Sequence, residues 1–316
     1  MRRALILGCR GQDGRLLFEQ RVRSCAVLGI DVGEVRSHAV DASRPDHRLP
    51  AAVDIHDAEQ VAGLIAAFMP DELYYLAARH HSSEERPDDA RELAESMRVN
   101  CLALVHVLEA VRQRAPACRV FYAGSSHMFG APTSAMQDES TPFAPENPYA
   151  ISKVAGTHVC RLYRARHGLH VSVGILYNHE SALRGERFVS QRIVRGAKEA
   201  AAHPQVRLAL GSLSSIVDWG YAPDYIDAMV RIVSEDAPDD YVVATGQPHT
   251  VKDFAEAAFK AVGLDWRAHV EENPGLVKSP PGALVGNAAK LRERTGWKPT
   301  VTFEEMVHVL VDAASV

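Results

Sequence analysis

The chain has 316 residues, about twice the length of a typical domain, so one large α/β unit or two closely packed lobes both suit it. With 47% hydrophobic and 24% charged residues, the composition excludes a disordered, collagen-like or low-complexity chain. Thirty-five Lys and Arg stand against 40 Asp and Glu, a formal charge of -5 without a basic run, which argues against a nucleic-acid partner. The five cysteines, Cys9, Cys25, Cys101, Cys118 and Cys160, are scattered and never form a C-x-x-C pair. Neither a disulfide framework nor a metal site is expected, and a reducing cytoplasm fits.

Met1-Arg2-Arg3 is followed by only four apolar residues, Ala4 to Leu7, before Gly8. That run is too short for a signal segment or a membrane span and reads as a strand. A helical pattern from Arg15 to Arg23 follows, then an apolar run from Ala26 to Ile30. Asp54-Ile55 is expected to end a third strand, before a helix over Asp57 to Phe68. Glu72 to Leu76, Arg119 to Ala123, Val171 to Leu176 and Tyr241 to Ala244 are further short apolar runs, with a helix from Glu92 to Arg114 among them. Strands alternating with helices predict a doubly wound parallel (Rossmann) α/β sheet. Beyond Asn178 the alternation loosens into a smaller C-terminal substrate lobe. Residues 1–177 and about 215–247 are assigned to the dinucleotide-binding domain, and about 178–214 and 248–316 to the substrate lobe.

Gly8, Gly11 and Gly14, with Gln12 and Asp13 between them, form G-x-x-G-x-x-G at the first strand-to-helix junction. Bare backbone there admits a pyrophosphate to the helix N-terminus. Asp31 ends the second strand 17 residues after Gly14, where a carboxylate accepts from both ribose hydroxyls and repels a 2′-phosphate. The expected cofactor is therefore NAD, although Arg10 and Arg36 lie close enough in sequence to serve a phosphate. Asp54 and Ile55 suit the adenine, and the small Ala77 and Ala78 suit the nicotinamide side.

Tyr149 and Lys153 form Y-x-x-x-K on a helix that Pro148 can start, which puts the phenol and the ammonium on one face. A cation beside a phenol lowers its pKa, so Tyr149 becomes a usable base while Lys153 also holds the nicotinamide ribose. Gly124, Ser125 and Ser126 close the preceding strand, and Ser125 is placed to position the substrate hydroxyl.

With these motifs in place the chain resembles the extended short-chain dehydrogenase/reductases, specifically the GDP-mannose 4,6-dehydratase branch. The resemblance runs through Gly11-Gln12-Asp13-Gly14, Pro148-Tyr149-Ala150, Leu176-Tyr177-Asn178-His179-Glu180-Ser181, Arg184-Gly185, Phe188-Val189, Asp218-Trp219-Gly220, Asp224-Tyr225 and Gly296-Trp297-Lys298-Pro299. It implies transient oxidation of a sugar hydroxyl, loss of water beside the new ketone, and return of the hydride. It also implies a homodimer paired through helices like those over Glu92 to Arg114 and Tyr149 to His167.

Two departures refine the expectation. The family's catalytic Glu is His127 here, and an imidazole can serve as acid or base. The family's diphosphate-gripping Arg is Val217, and the later Arg-Pro segment is replaced around Lys278. Since bidentate arginines are the best diphosphate clamps, the substrate is expected to be a nucleoside or another sugar lacking a diphosphate. The substrate set implied is Arg79, His81, Ser82, Ser126, Asn178, Arg184, Val189, Arg192, Val217 and Lys278. The expected activity is an NAD-dependent sugar dehydratase of secondary-metabolite or glycan biosynthesis. A sugar-nucleotide dehydratase, an epimerase and, last, a non-catalytic NAD sensor remain the alternatives.

Overall fold

Apolar runs too short for helices and closed by glycine or polar turns become strands buried on both faces. In the computed structural model, residues 1–40, 52–79, 89–276 and 283–314 are described. The first part of the chain supplies β1 (Arg2–Leu7), α1 (Gln12–Arg21), β2 (Cys25–Asp31), β3 (Glu34–His38), α2 (Ala58–Phe68) and β4 (Glu72–Tyr75). It continues with α3 (Asp89–Met97), α4 (Ala103–Arg114), β5 (Arg119–Ala123), α5 (Pro148–His167) and β6 (Val171–Leu176). Then come β7 (Asn178–Glu180), α6 (Val189–Ala202), β8 (Leu208–Leu210), β9 (Ile216–Tyr221), α7 (Ala222–Ser234) and β10 (Asp240–Val243). The chain closes with β11 (Pro248–Thr250), α8 (Val251–Ala261), β12 (Val270–Glu272), α9 (Ala289–Thr295) and α10 (Phe303–Ala313).

Among the described residues the main sheet has seven strands in the order β10-β6-β5-β4-β1-β2-β3. Every neighbouring pair is parallel except β2 and β3. The fold is thus the expected α/β Rossmann type with a mostly parallel sheet. The order reverses between β1 and β4, and a crevice opens at the carboxyl ends of such strands.

Two sequence expectations need correction. Asp54 and Ile55 do not end a strand: residues 52–54 are irregular and 55–56 form a turn. The place beside β2 belongs to β3, because Gly33 adopts a φ of +69° and folds Glu34–His38 straight back as a hairpin. Nor is Glu92 to Arg114 one α-helix, since a π-helical turn over Arg98–Leu102 divides α3 from α4. That turn releases main-chain carbonyls, and side chains of the sheet take them up. The Tyr75 hydroxyl donates to Val99 O at 2.5 Å, and the Tyr122 hydroxyl donates to Asn100 O at 2.8 Å.

A second apolar cluster joins Ile193 and Val194 of α6, Phe254 and Phe259 of α8, and Met306 and Leu310 of α10 around Trp219. Two buried acids fasten it to the main sheet. The Asp218 carboxylate accepts from the main-chain N–H groups of Thr245 (3.0 Å), Gly246 (2.9 Å) and Gly286 (3.1 Å). Asp224 accepts from Thr300 N at 2.9 Å, while Trp297 Nε1 donates to the Asp224 carbonyl at 2.8 Å. Among the described residues no helix is long and apolar enough to cross a membrane.

Candidate active site

The end of β1 comes close to the start of the loop after β4, and only bare backbone fits between them. Gly8 has a φ of +95°, and a Cβ there would sit 2.6 Å from Ala77 N. A Cβ on Gly14 would run into the Gly8 carbonyl oxygen. Gly11 sits at the capping position before α1 and offers no side chain to cap it, so the first N–H groups of the helix are left without a side-chain cap. A cleft of about 880 Å³ opens there, lined by Gly8, Gly11, Asp31, Asp54, Ile55, Ala77, Ala78 and Arg79. Asp54 and Ile55 therefore line the cleft although they belong to no strand. These residues suit a dinucleotide: bare backbone at the diphosphate end and a carboxylate at the ribose end.

The Asp31 carboxylate accepts from Arg10 N at 2.9 Å and from Val32 N at 2.8 Å, which orients it at the cleft wall. The nearby cations approach Glu34, although Arg10 also lines the cleft. Arg10 Nε and Arg36 Nε each lie 3.5 Å from the Glu34 carboxylate, and the Arg36 guanidinium stacks over the Phe18 ring at 4.9 Å.

The side chains of Gln12 and Asp13 bond to β7 and to Ser181 just after it. Gln12 Nε2 donates to His179 O at 3.0 Å, and Ser181 Oγ donates to Gln12 Oε1 at 2.8 Å. Both Asp13 oxygens lie 3.0 Å from His179 Nε2. Burial opposes the Asp13 charge, yet His179, the Gln12 amide and Arg184 together hold its carboxyl at about 2.

At the end of β5, Ser125 caps a 3-10 turn over Ser126–Phe129, its hydroxyl oxygen accepting from His127 N at 3.3 Å. Gly130 ends that turn at a φ of +62°, where a Cβ would collide with the Ala144 carbonyl oxygen. Asn147 caps α5 by accepting from Ala150 N at 2.9 Å, and Pro148 fills the first turn, fixing the start of the helix that carries Tyr149. One helical turn later, the buried Lys153 Nζ lies 5.7 Å from the Tyr149 ring centre. The His127 and Tyr149 rings meet edge to face at 6.2 Å, and Tyr149 hydrogen-bonds with the Ser125 hydroxyl. Ser125, His127, Tyr149 and Lys153 thus converge from β5 and α5.

Their electrostatics differ from the sequence expectation in one respect. Tyr149 is not lowered by Lys153. Desolvation by burial pushes the phenol up to about 12, against the downward pull of Ser125 and the Arg184 charge. Lys153 is itself pushed down to about 7 by burial and donates to Ala123 O at 2.8 Å. His127 is lowered by burial and then by Arg184, which favours the neutral imidazole.

The other predicted residues divide. Arg184 Nε lies 3.5 Å from Glu180 Oε2, and its guanidinium stacks on Phe188 at 3.7 Å. Arg192 donates to Ala209 O at 2.9 Å. Arg79 lines the cleft, but its guanidinium is paired with Glu92 at 3.3 Å and Glu95 at 2.8 Å. Ser126 is buried in the 3-10 turn, Asn178 opens β7, and Val189 and Val217 pack against the second apolar cluster. His81, Ser82 and Lys278 lie outside the described residues.

Sequence reasoning missed Asn100. Fully buried in the π-turn, it donates from Nδ2 to Ser152 Oγ at 2.9 Å and accepts at Oδ1 from Arg79 N at 3.2 Å. It thereby ties the strand end at Ala77–Arg79 to the helix that carries Tyr149 and Lys153. A polar residue in an otherwise apolar helical stretch was the available signal.

The family profile described as GDP-mannose 4,6 dehydratase matches residues 5–310. The chain is similar to GDP-mannose 4,6 dehydratase 1 of Arabidopsis thaliana, 37% identical over 330 aligned positions that span 98% of this chain and 88% of that one. It is also similar to GDP-mannose 4,6-dehydratase of Yersinia enterocolitica, at 31% identity spanning 98% and 93% of the two chains. Among solved structures, dTDP-glucose 4,6-dehydratase from Bacillus anthracis in complex with NAD has a TM-score of 0.82 at 18% identity, covering 99% and 96%. RMD from Pseudomonas aeruginosa complexed with NADPH has a TM-score of 0.82 at 20% identity, covering 99% and 98%. At such identities these two structures speak to the fold alone.

Proposed function

Because this chain belongs to the GDP-mannose 4,6-dehydratase family, we propose that it is a sugar dehydratase whose redox steps cancel, working with resident NAD. The observation that carries the reading is the convergence of His127 with Tyr149, ring centres 6.2 Å apart, Tyr149 standing on a helix that Asn100 ties to Arg79 at the wall of a cleft that suits a dinucleotide. When bound, the dinucleotide accepts a hydride from a sugar carbon and later gives it back. Tyr149 is the acceptor for the proton of the hydroxyl being oxidised, a role that needs its phenolate; the positive charge of an oxidised nicotinamide would favour that form against desolvation by burial, while Ser125 orients the hydroxyl. Lys153 steadies the phenolate and the nicotinamide ribose. The neutral His127 imidazole removes the proton beside the new ketone and passes it to the departing hydroxyl, which leaves as water. Arg184 disfavours a lasting imidazolium, and this helps the second transfer.

NAD is favoured over NADP by Asp31 at the ribose end and by Glu34, which holds Arg10 and Arg36. The substrate reading is a sugar lacking a diphosphate. Val217 replaces a clamp arginine, Arg184 is paired with Glu180, and Arg192 is bonded to Ala209 O. Among the described residues these arginines are engaged by the protein, and two phosphates that met no bidentate partner would face uncompensated desolvation. A homodimer through α4 and α5 is favoured by the solvent-facing Leu102, Ile151 and Leu162, 52%, 40% and 42% exposed. Light scattering at micromolar concentration checks it, with a dimer expected.

Mass spectrometry on GDP-mannose, nucleosides and simple sugar derivatives tests the reaction. Loss of water is expected; unchanged mass with inverted stereochemistry indicates an epimerase instead. Calorimetric titration of the NAD-loaded protein with GDP and GDP-mannose tests the substrate class. Micromolar binding that weakens with salt would return the chain to sugar-nucleotide chemistry.

A further inference from the structure

The His179 ring is held by acceptors on both sides. Nδ1 lies 2.6 Å from the carbonyl oxygen of Tyr177, which can only accept, and Nε2 lies 3.0 Å from each oxygen of Asp13. With Asp13 ionised, both nitrogens must donate, so the ring is an imidazolium. The groups around it are few. Asp13 comes from α1, Tyr225 from α7 stacks on the ring at 4.5 Å, and Arg184 approaches from the loop after β7. The neighbouring Glu180 carboxylate is turned away, accepting from Ser190 Oγ at 2.7 Å and lying 3.5 Å from Arg184. Burial and Arg184 oppose the charge on His179, and Asp13 outweighs them.

Asp13 occupies the first turn of α1, the helix end that meets the cofactor's diphosphate in the reading given above, on which this inference rests. A bare carboxylate there would repel the ligand the turn is shaped for. We propose that His179 is a positioning residue: its imidazolium cancels Asp13 at the diphosphate end of the cleft and clamps the glycine turn to β7. The Gln12 amide and the Ser181 hydroxyl complete the clamp through their bonds across the same junction. One ion pair then ties cofactor binding to the strand from which the substrate side is built.

The test uses the whole protein and measures binding, not turnover. Nitrogen NMR of the cofactor-free protein should show both His179 ring nitrogens protonated at pH 7; a singly protonated ring overturns the proposal. His179→Gln should weaken NAD(H) binding by about 10- to 100-fold, the usual span of coupling between sites. Adding Asp13→Asn to that variant should restore most of the loss, because no carboxylate remains to be cancelled. Additive losses in the double variant would mark the pair as merely structural and sink the proposal. Thermal melts without cofactor identify a variant that fails to fold, and the NMR result on the unaltered protein stands regardless. If the unaltered protein binds no dinucleotide, the parent reading fails instead.

Discussion

The Lys153 ammonium donates to the Ala123 carbonyl oxygen across 2.8 Å, so the helix bearing Tyr149 is bolted to the end of β5 by a charge that has left water. Such burial is costly. It lowers Lys153 from 10.5 to about 7, so between those values the unfolded chain binds more protons than the folded one and stability rises with pH. Lys153→Met should therefore raise the melting midpoint at pH 6.5, by roughly 2–4 °C for a protein of this class. The gain should shrink toward pH 10. Calorimetric scans at both values check this, and a pH-independent difference would show that Lys153 is not desolvated as described.

Tyr149→Phe should cut turnover by about 10²- to 10⁴-fold, the usual contribution of a positioned proton acceptor, while dinucleotide affinity is kept. Rapid-quench kinetics alongside fluorescence titration of NADH separates the two effects. Near-normal activity would assign the base elsewhere.

His127→Gln should permit reduction of the nicotinamide by substrate, seen by its absorbance, but stop exchange of the neighbouring carbon-bound proton with deuterated solvent. Burial and Arg184 lower the His127 pKa, so the neutral base persists to more acidic pH than an ordinary histidine allows. The acid limb of kcat/KM should thus lie below the usual histidine value and move up in Arg184→Met. A limb unmoved in that variant would detach Arg184 from His127.

Asp31→Ala should narrow the preference for NAD over NADP, because the carboxylate that repels a 2′-phosphate is gone. Competitive titration with both dinucleotides reads the ratio. A protein that prefers NADP before the change contradicts the assignment.

The sequence was most legible where structure is local. Arg119–Ala123 and Val171–Leu176 fall on the runs read as strands, and Tyr149 and Lys153 share a face because α5 is regular. It was least legible where distant groups decide. The π-turn at Asn100 answers hydroxyls from Tyr75 and Tyr122, which lie on two strands. Nothing local to Asp13 announces its partner, because His179 stands 166 residues away. The turn at Val32-Gly33 was local, but its effect on strand order was not: a two-residue connection put an antiparallel strand beside β2, where a parallel one was expected.

That hairpin also bears on protein engineering. Among the described residues β3 is the outermost strand of the main sheet, and its Glu34 and Arg36 are the kind of charged residue that discourages edge-to-edge aggregation. The segment proposed to tune nucleotide choice therefore also guards the margin of the described sheet. Redesigning it for NADP by replacing Asp31 and Glu34 with neutral or apolar residues would leave that margin stickier. Cofactor-swapped variants should accordingly be screened for solubility together with selectivity.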